Sequence, residues 1–247
     1  MKELVLVNFK LRYQGSFLGY AWSLFKPLLN FGFLYLVFAK IFRLGTMVPN
    51  YPLFLLMGIV IWTFFIEATN TSLRSILANE DLIRKVNIQK PILVLASVIS
   101  SFVNFLLNMS VVLIFVMINR PFPDLSLFLP FLGGVIELLL FTLPLSFLLA
   151  ALYVKFRDVA HIWEVLSQGL FYATPIVYPL SLPSKDLAYL ISLNPLTEAI
   201  LLMRKLVGDT TEVSFSSCII SLGILLVLNL LAWSYFNKQS RTFAEDL

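Results

Sequence analysis

The sequence predicts an all-α membrane protein. Its parts are six transmembrane helices, an N-terminal interfacial helix, a short cytoplasmic helix between spans two and three, and a re-entrant helical pair between spans five and six. Three observations predict this. Of the 247 residues 59% are hydrophobic and 13% charged, and the mean hydropathy of +0.89 lies far outside the soluble range. Six stretches approach or exceed the roughly 20 apolar residues that a helix needs to cross a bilayer. Between Phe171 and Arg204, a stretch of the same apolar grade is interrupted by Pro175, Pro179, Pro183 and Pro195. It fits neither a single spanning helix nor an ordinary polar loop. The chain, 1–247, reads as one membrane domain, because no polar stretch is large enough to enclose a second core.

Residues 1–20 come first, with no small-residue cleavage site that would mark a removable signal peptide. Leu4, Val7 and Leu11 share one helical stripe, while Lys10 and Arg12 flank a second apolar group of Leu6, Phe9 and Tyr13. An interfacial helix at the headgroups and a frayed tail both fit that pattern. The expected spans are 21–42, 53–76, 92–118, 125–153, 159–178 and 215–236.

The connector 74–91 carries a helix signature of its own. Asn79 is placed to cap the first amides, Glu80 and Asp81 suit the positive end of the helix dipole, and Arg84 and Lys85 suit its negative end. Leu82, Ile83 and Val86 share a face, and Pro91 fits the first turn of the third span. Two readings remain open: a solvated connector whose charges fix topology, or a cytoplasmic helix that docks on a partner. The region 179–213 is expected on the outer side. Irregular backbone at membrane depth is tolerated only where protein or a water-filled path surrounds it, so short broken helices there point to a pore.

Positive charge sets the orientation. One set of segments holds twelve Lys and Arg, from Lys2 to Arg241, and the opposite set holds six: Lys40, Arg43, Arg120, Lys185, Arg204 and Lys205. The richer side is cytoplasmic, which puts both termini there. The net charge of +4 then reflects topology and anionic lipid, with no soluble basic face for nucleic acid.

Among ionisable groups inside the spans, Glu67, Glu137 and Glu164 stand out. Interhelical hydrogen bonding and contact with a transported species both fit Glu67 and Glu137. Asn70, Asn104, Asn108 and Asn229 read as interhelical hydrogen-bond donors. Enzymatic chemistry finds no support. There is one histidine, His161, and one cysteine, Cys218, with no GxSxG elbow, no metal motif and no Gly-rich loop ending in Lys-Ser or Lys-Thr. No cofactor is expected in this chain, and energy for ATP-driven transport would come from another one. A proton-coupled secondary transporter using Glu67 and Glu137 is the alternative, but the matching broken spans of such folds are absent from the first half.

A set of short motifs then points to a family. Arg12-Tyr13, Leu18-Gly19-Tyr20-Ala21-Trp22 and Pro27 are followed by Lys90-Pro91, Arg157-Asp158, the run Tyr172-Ala173-Thr174-Pro175-Ile176-Val177-Tyr178, and Asn194-Pro195 with Arg204. In order and spacing they resemble the permeases of type-2 ABC exporters that move bacterial surface polysaccharides. The resemblance covers nearly the whole chain. It implies a bacterial plasma-membrane permease that pairs with a second copy of itself and with nucleotide-binding subunits, which bind ATP and magnesium. The implied cargo is a lipid-linked polymer such as O-antigen, capsular polysaccharide or teichoic acid. It also implies that 1–20 is the interface helix, with Arg12, Tyr13, Leu18, Gly19 and Trp22 as its signature, and that 79–89 is the coupling helix. Tyr172, Pro175, Tyr178, Pro179, Asn194, Pro195 and Arg204 mark the re-entrant exit. Sugar rings slide on flat side chains, so Trp62, Phe64, Phe65 and Phe171 are candidate lining residues, alongside Tyr172 and Tyr178. Packing against lipid and neighbouring helices is the other reading of these aromatics.

Overall fold

The computed structural model describes residues 19–85, 89–119 and 125–243, and every described regular element is helical. Helix α1, Trp22–Tyr35, continues as a π-helical stretch, Leu36–Ile41. It ends at Arg43, whose left-handed backbone (φ 58°) turns the chain. A second left-handed residue, Asn50 (φ 53°), precedes α2, Tyr51–Arg74, which has Pro52 in its first turn. A 3-10 turn, Leu77–Asn79, leads into the short helix α3, Glu80–Lys85. Then come α4, Pro91–Asn119, and α5, Phe128–Lys155. Helix α6, Val159–Tyr172, is followed by an irregular stretch, and then by α7, Lys185–Ser192, and α8, Pro195–Arg204. A 3-10 turn ending at Gly208 (φ 95°) leads to α9, Phe215–Gln239.

Helix α2 is the centre of the molecule. From Leu53 to Ile61 its sequence is apolar on every side, which is the pattern of a helix buried all round. In its most apolar window 72% of residues are buried, against 6% in the corresponding windows of α1 and α9. It packs chiefly on α4 and α5, and α5 in turn holds α8 and α9. Leu55, Met57, Ile59, Ile61 and Phe65 of α2 are fully enclosed in the main core. In lipid, close packing rather than exclusion of water holds helices together, so small residues matter at crossings. Gly134 of α5 shows this: a Cβ there would stand 2.7 Å from the Ala199 carbonyl and 2.6 Å from Met203 Cγ of α8. A second, smaller core lies at the end of the bundle where α2 runs into α3. It joins Ile76, Leu93, Val94, Phe147, Phe236 and Phe243.

Among the described residues, five helices are long and apolar enough to cross a membrane: α1 with its π-helical extension, α2, α4, α5 and α9. They coincide with five of the six expected spans. The expected fifth span differs. It is helical for only 14 residues, about 21 Å at ~1.5 Å per residue, short of a hydrocarbon core of ~30 Å. Two local features end it. The Pro175 ring would collide with the carbonyl four residues earlier if the helix continued, and the Thr174 hydroxyl donates to the Leu170 carbonyl at 2.7 Å. The pair formed by α7 and α8 with its following turn bends by 94°, and is long and apolar enough to cross only when taken as a unit, which would make six.

Candidate functional site

The broken segment after α6 is held by a small set of polar side chains. The run 174–177 is buried although its backbone is irregular, so its carbonyls need donors. Arg204, at the end of α8 and 0% exposed, supplies two of them. Its Nη1 donates to the Pro175 carbonyl at 2.6 Å, its Nη2 to the Ile176 carbonyl at 2.6 Å, and its Nε to the Phe54 carbonyl of α2 at 3.2 Å. The guanidinium carbon lies 3.4 Å from the centroid of the Phe54 ring, so the flat cation also stacks on an aromatic face. The next carbonyl, of Val177, accepts from the Tyr51 hydroxyl at 2.8 Å. Three consecutive carbonyls that no helix satisfies are thus tied to α2 and α8. The Tyr178 hydroxyl closes the turn on itself by donating to the Tyr172 carbonyl at 2.8 Å.

Asn194 builds the bend between α7 and α8 from both ends of its amide. Its Oδ1 accepts from the Leu196 amide at 3.1 Å, an N-cap, and its Nδ2 donates to Thr174 Oγ1 at 3.0 Å. Pro195 occupies the first helical position, where no amide is missed. The Thr197 hydroxyl reaches back to the Ile191 carbonyl at 2.8 Å. Tyr172, Tyr178 and Asn194 border one cavity of about 500 Å³ with Leu182, Leu187 and Ile191. Tyr172 and Pro179 lie at its exposed side and on its turn, and Pro175 is buried inside.

The candidate lining aromatics divide into two groups. Trp62 meets Phe171 edge-on with centroids 5.4 Å apart, Phe171 meets Tyr172 at 5.2 Å, and Phe65 lies 5.5 Å from Trp62. Phe65 itself is wholly enclosed. Phe64 points to the other side of α2, between Phe102 and Phe105 of α4.

At the α3 end, Glu80 and Asp81 fall in the first turn and Arg84 and Lys85 in the last. Leu82 and Ile83 pack on the smaller core. Asn79 sits in the preceding 3-10 turn, and its Nδ2 donates backwards to the Ser75 carbonyl at 2.8 Å, closing the end of α2. Past the helix, Lys90 donates to the Ser240 carbonyl and lies 5.7 Å from the Phe243 ring centroid, so the connector is tied to the turn after α9. Burial there holds the Lys90 ammonium below the usual lysine pKa. Gly19 opens a 3-10 turn with φ +50° and Trp22 begins α1. Arg12, Tyr13, Leu18 and Val86 lie outside the described residues.

The two span carboxylates sit apart on different helix pairs. Glu67 Oε1 accepts from Asn104 Nδ2 of α4 at 2.9 Å, while Glu137 of α5 takes a hydrogen bond from Ser221 of α9. Asn108 and Asn229 bridge helices as expected, to the Ser23 carbonyl at 3.1 Å and the Leu140 carbonyl at 2.7 Å. Among the described residues no group of His, Cys, Asp and Glu could hold a metal ion.

Sequence reasoning missed Tyr51, Phe54 and Gly58, and took Thr174 only as part of a motif. Gly58 left a trace, a glycine inside an otherwise bulky span. Phe54 looks like an ordinary span residue and Tyr51 like a residue just ahead of one until Arg204 is placed.

Apolar crossing helices around a polar-pinned break define a multi-pass integral membrane protein. The ABC-2 type transporter family model matches residues 1–207, and the chain belongs to that family. Two O-antigen export system permease proteins RfbA of Klebsiella pneumoniae are each 31% identical over 245 residues, 97% of this chain and 92% of theirs. The protein of the same name from Myxococcus xanthus is 30% identical over 247 residues, 99% of this chain and 94% of its own length.

Proposed function

We propose that this chain is the permease subunit of an ATP-driven exporter that moves a lipid-linked polysaccharide of the O-antigen class across the bacterial plasma membrane, with both termini cytoplasmic. The observation that carries it is full-length similarity to proteins named O-antigen export permeases, over a chain with no P-loop of its own. Two copies of the chain and two nucleotide-binding subunits make up the transporter, and ATP and magnesium are bound by the latter. The 1–20 segment lies along the cytoplasmic interface, and 79–89 couples the partner to the spans. The bent pair of α7 and α8, with the break before it, forms re-entrant helices near the outer exit, where Tyr172 and Tyr178 contact the passing glycan.

The physical support is the cost of the break. Irregular buried backbone is retained here at the expense of a fully buried arginine, which is more than a mere membrane anchor requires. Reconstitution tests it. The chain with its nucleotide-binding partner in liposomes should translocate a fluorescent lipid-linked O-glycan when ATP is added, and a proton gradient alone should not drive it. Transport driven by the gradient and indifferent to ATP would overturn the reading in favour of a proton-coupled carrier.

A further inference from the structure

A second polar feature lies away from the break. Between α1 and α2 runs a cavity of about 380 Å³, open on one side. Its two walls follow the same helical spacing. Trp22, Lys26 and Asn30 recur every four residues on α1, and Trp62, Ile66 and Asn70 do so on α2, with Glu67 beside them. From 22 to 30 the wall is about 12 Å long at ~1.5 Å per residue.

The chemistry of the lining is specific. Two indoles flank a cavity whose remaining named groups are amides, a carboxylate and an ammonium. Such groups in a lipid-facing position are costly unless water or a polar ligand meets them. Lys26 is exposed at the opening and makes no ion pair among the described residues. Glu67 is oriented by Asn104 behind it. Asn30 on α1 and Asn70 on α2 both line the cavity and are exposed, and their amides suit hydroxyl groups. An ammonium for a phosphate, amides for hydroxyls, and indoles for a ring face describe one ligand class: a phosphate ester joined to a sugar. The position agrees. Trp22 starts α1 and Asn70 lies one turn before Arg74 at the end of α2, both on the side where positive charge concentrates, so the cavity sits at inner-leaflet depth and opens sideways to lipid.

Resting on the proposed export function, we infer that this groove receives the phosphate and first sugar of the lipid-linked glycan from the inner leaflet before it enters the path, with Lys26 on the phosphate and Trp22 and Trp62 on the ring. The test uses the complete transporter, chain plus nucleotide-binding partner, in phosphatidylcholine nanodiscs. The probe is a polyprenyl diphosphate carrying one oligosaccharide unit, and the readout is the concentration giving half-maximal ATPase stimulation. Lys26→Gln should raise that concentration roughly tenfold, as loss of a charge-assisted hydrogen bond does, and Lys26→Arg should restore most of it. Trp62→Ala should raise it for the sugar-bearing probe and leave it unchanged for sugar-free polyprenyl diphosphate. Phe33→Leu, on the exposed side of α1, should change nothing.

A photoreactive group on the first sugar gives a measurement on the unmodified chain. Crosslinks should map to 22–30 and 62–71. Crosslinks elsewhere, or unchanged half-saturation in Lys26→Gln and Trp62→Ala, overturn the groove. Displacement of the probe by phosphatidylglycerol at equal concentration shows an ordinary phospholipid site and overturns it as well. If the unmodified transporter neither responds to the probe nor moves it, the export reading itself fails, a different outcome from variants that behave like an otherwise active parent.

Discussion

Gly58 lies directly beneath Arg204. A Cβ built on Gly58 would stand 2.4 Å from the guanidinium Nη2 and 2.8 Å from the Ile176 carbonyl that this nitrogen serves. The glycine is therefore the floor of the arginine site, and the guanidinium reaches its carbonyls only because no side chain occupies that floor.

Gly58→Ala should displace the guanidinium and loosen the break without altering any charge. Arg204→Gln should be worse, because it removes the donors to Pro175, Ile176 and Phe54 together, at about 1–3 kcal/mol for each carbonyl left unpaired. Arg204→Lys keeps the charge but loses the planar fork. Thermal unfolding of the solubilised permease should rank the wild type first, Arg204→Lys next and Arg204→Gln last. Equal melting temperatures would remove the structural role assigned to Arg204.

Replacing Pro175, Pro179 and Pro195 together with alanine should allow helix to propagate through the break. Helix α2 packs chiefly on α4 and α5, none of which carries these prolines, so the variant should insert at near-normal level while export falls by an order of magnitude or more. Normal export from the triple variant would mean the breaks are incidental.

Reversing Glu80 and Asp81 to lysine places two cations at the positive end of α3 and alters the face offered to a cytoplasmic partner. ATPase activity of the assembled transporter should persist or fall while export per ATP drops severalfold. Glu67→Gln and Glu137→Gln should leave the dependence on a proton gradient at zero, and Glu137→Gln should also be mild for export. The opposite ranking, with export lost on neutralising Glu137 and indifferent to the loop, would favour a proton carrier.

Single cysteines in a Cys218→Ser background test orientation. Position 84 should be labelled only from the cytoplasmic side and position 185 only from outside. External labelling at 84 would invert the topology.

The long spans were legible because each is predominantly apolar over about 20 or more positions, and no competing structure satisfies that much backbone in lipid. That the segment is broken was legible for the same reason in reverse: four prolines interrupt it, and Pro195 fixes where helix restarts. The point at which α6 ends was not, because apolar content continues to Tyr178 and only the Thr174 hydroxyl and the Pro175 ring decide the matter. Asn79 shows another limit. Its type and position suit a cap, yet the amide donates back to Ser75, a choice made by the 3-10 turn that no spacing rule announces. Arg204 was marked by its motif and counted among outer loop charges, whereas its three acceptors come from residues 28 to 150 positions away. Contacts of that separation leave no periodic trace.

The order of those acceptors along the chain bears on how the protein is made. Phe54, Pro175 and Ile176 all precede Arg204, and so does Gly58. As synthesis proceeds from the N-terminus, every group that receives the guanidinium has already left the ribosome when α8 emerges. A charged side chain stranded in hydrocarbon is among the costlier events in membrane insertion, and here it need not wait for a later segment to rescue it. Only α9 among the described helices follows, and it carries none of the acceptors. A circular permutation that placed 195–204 ahead of 51–74 would keep every contact in the finished fold yet deliver the arginine to the bilayer before its carbonyls exist.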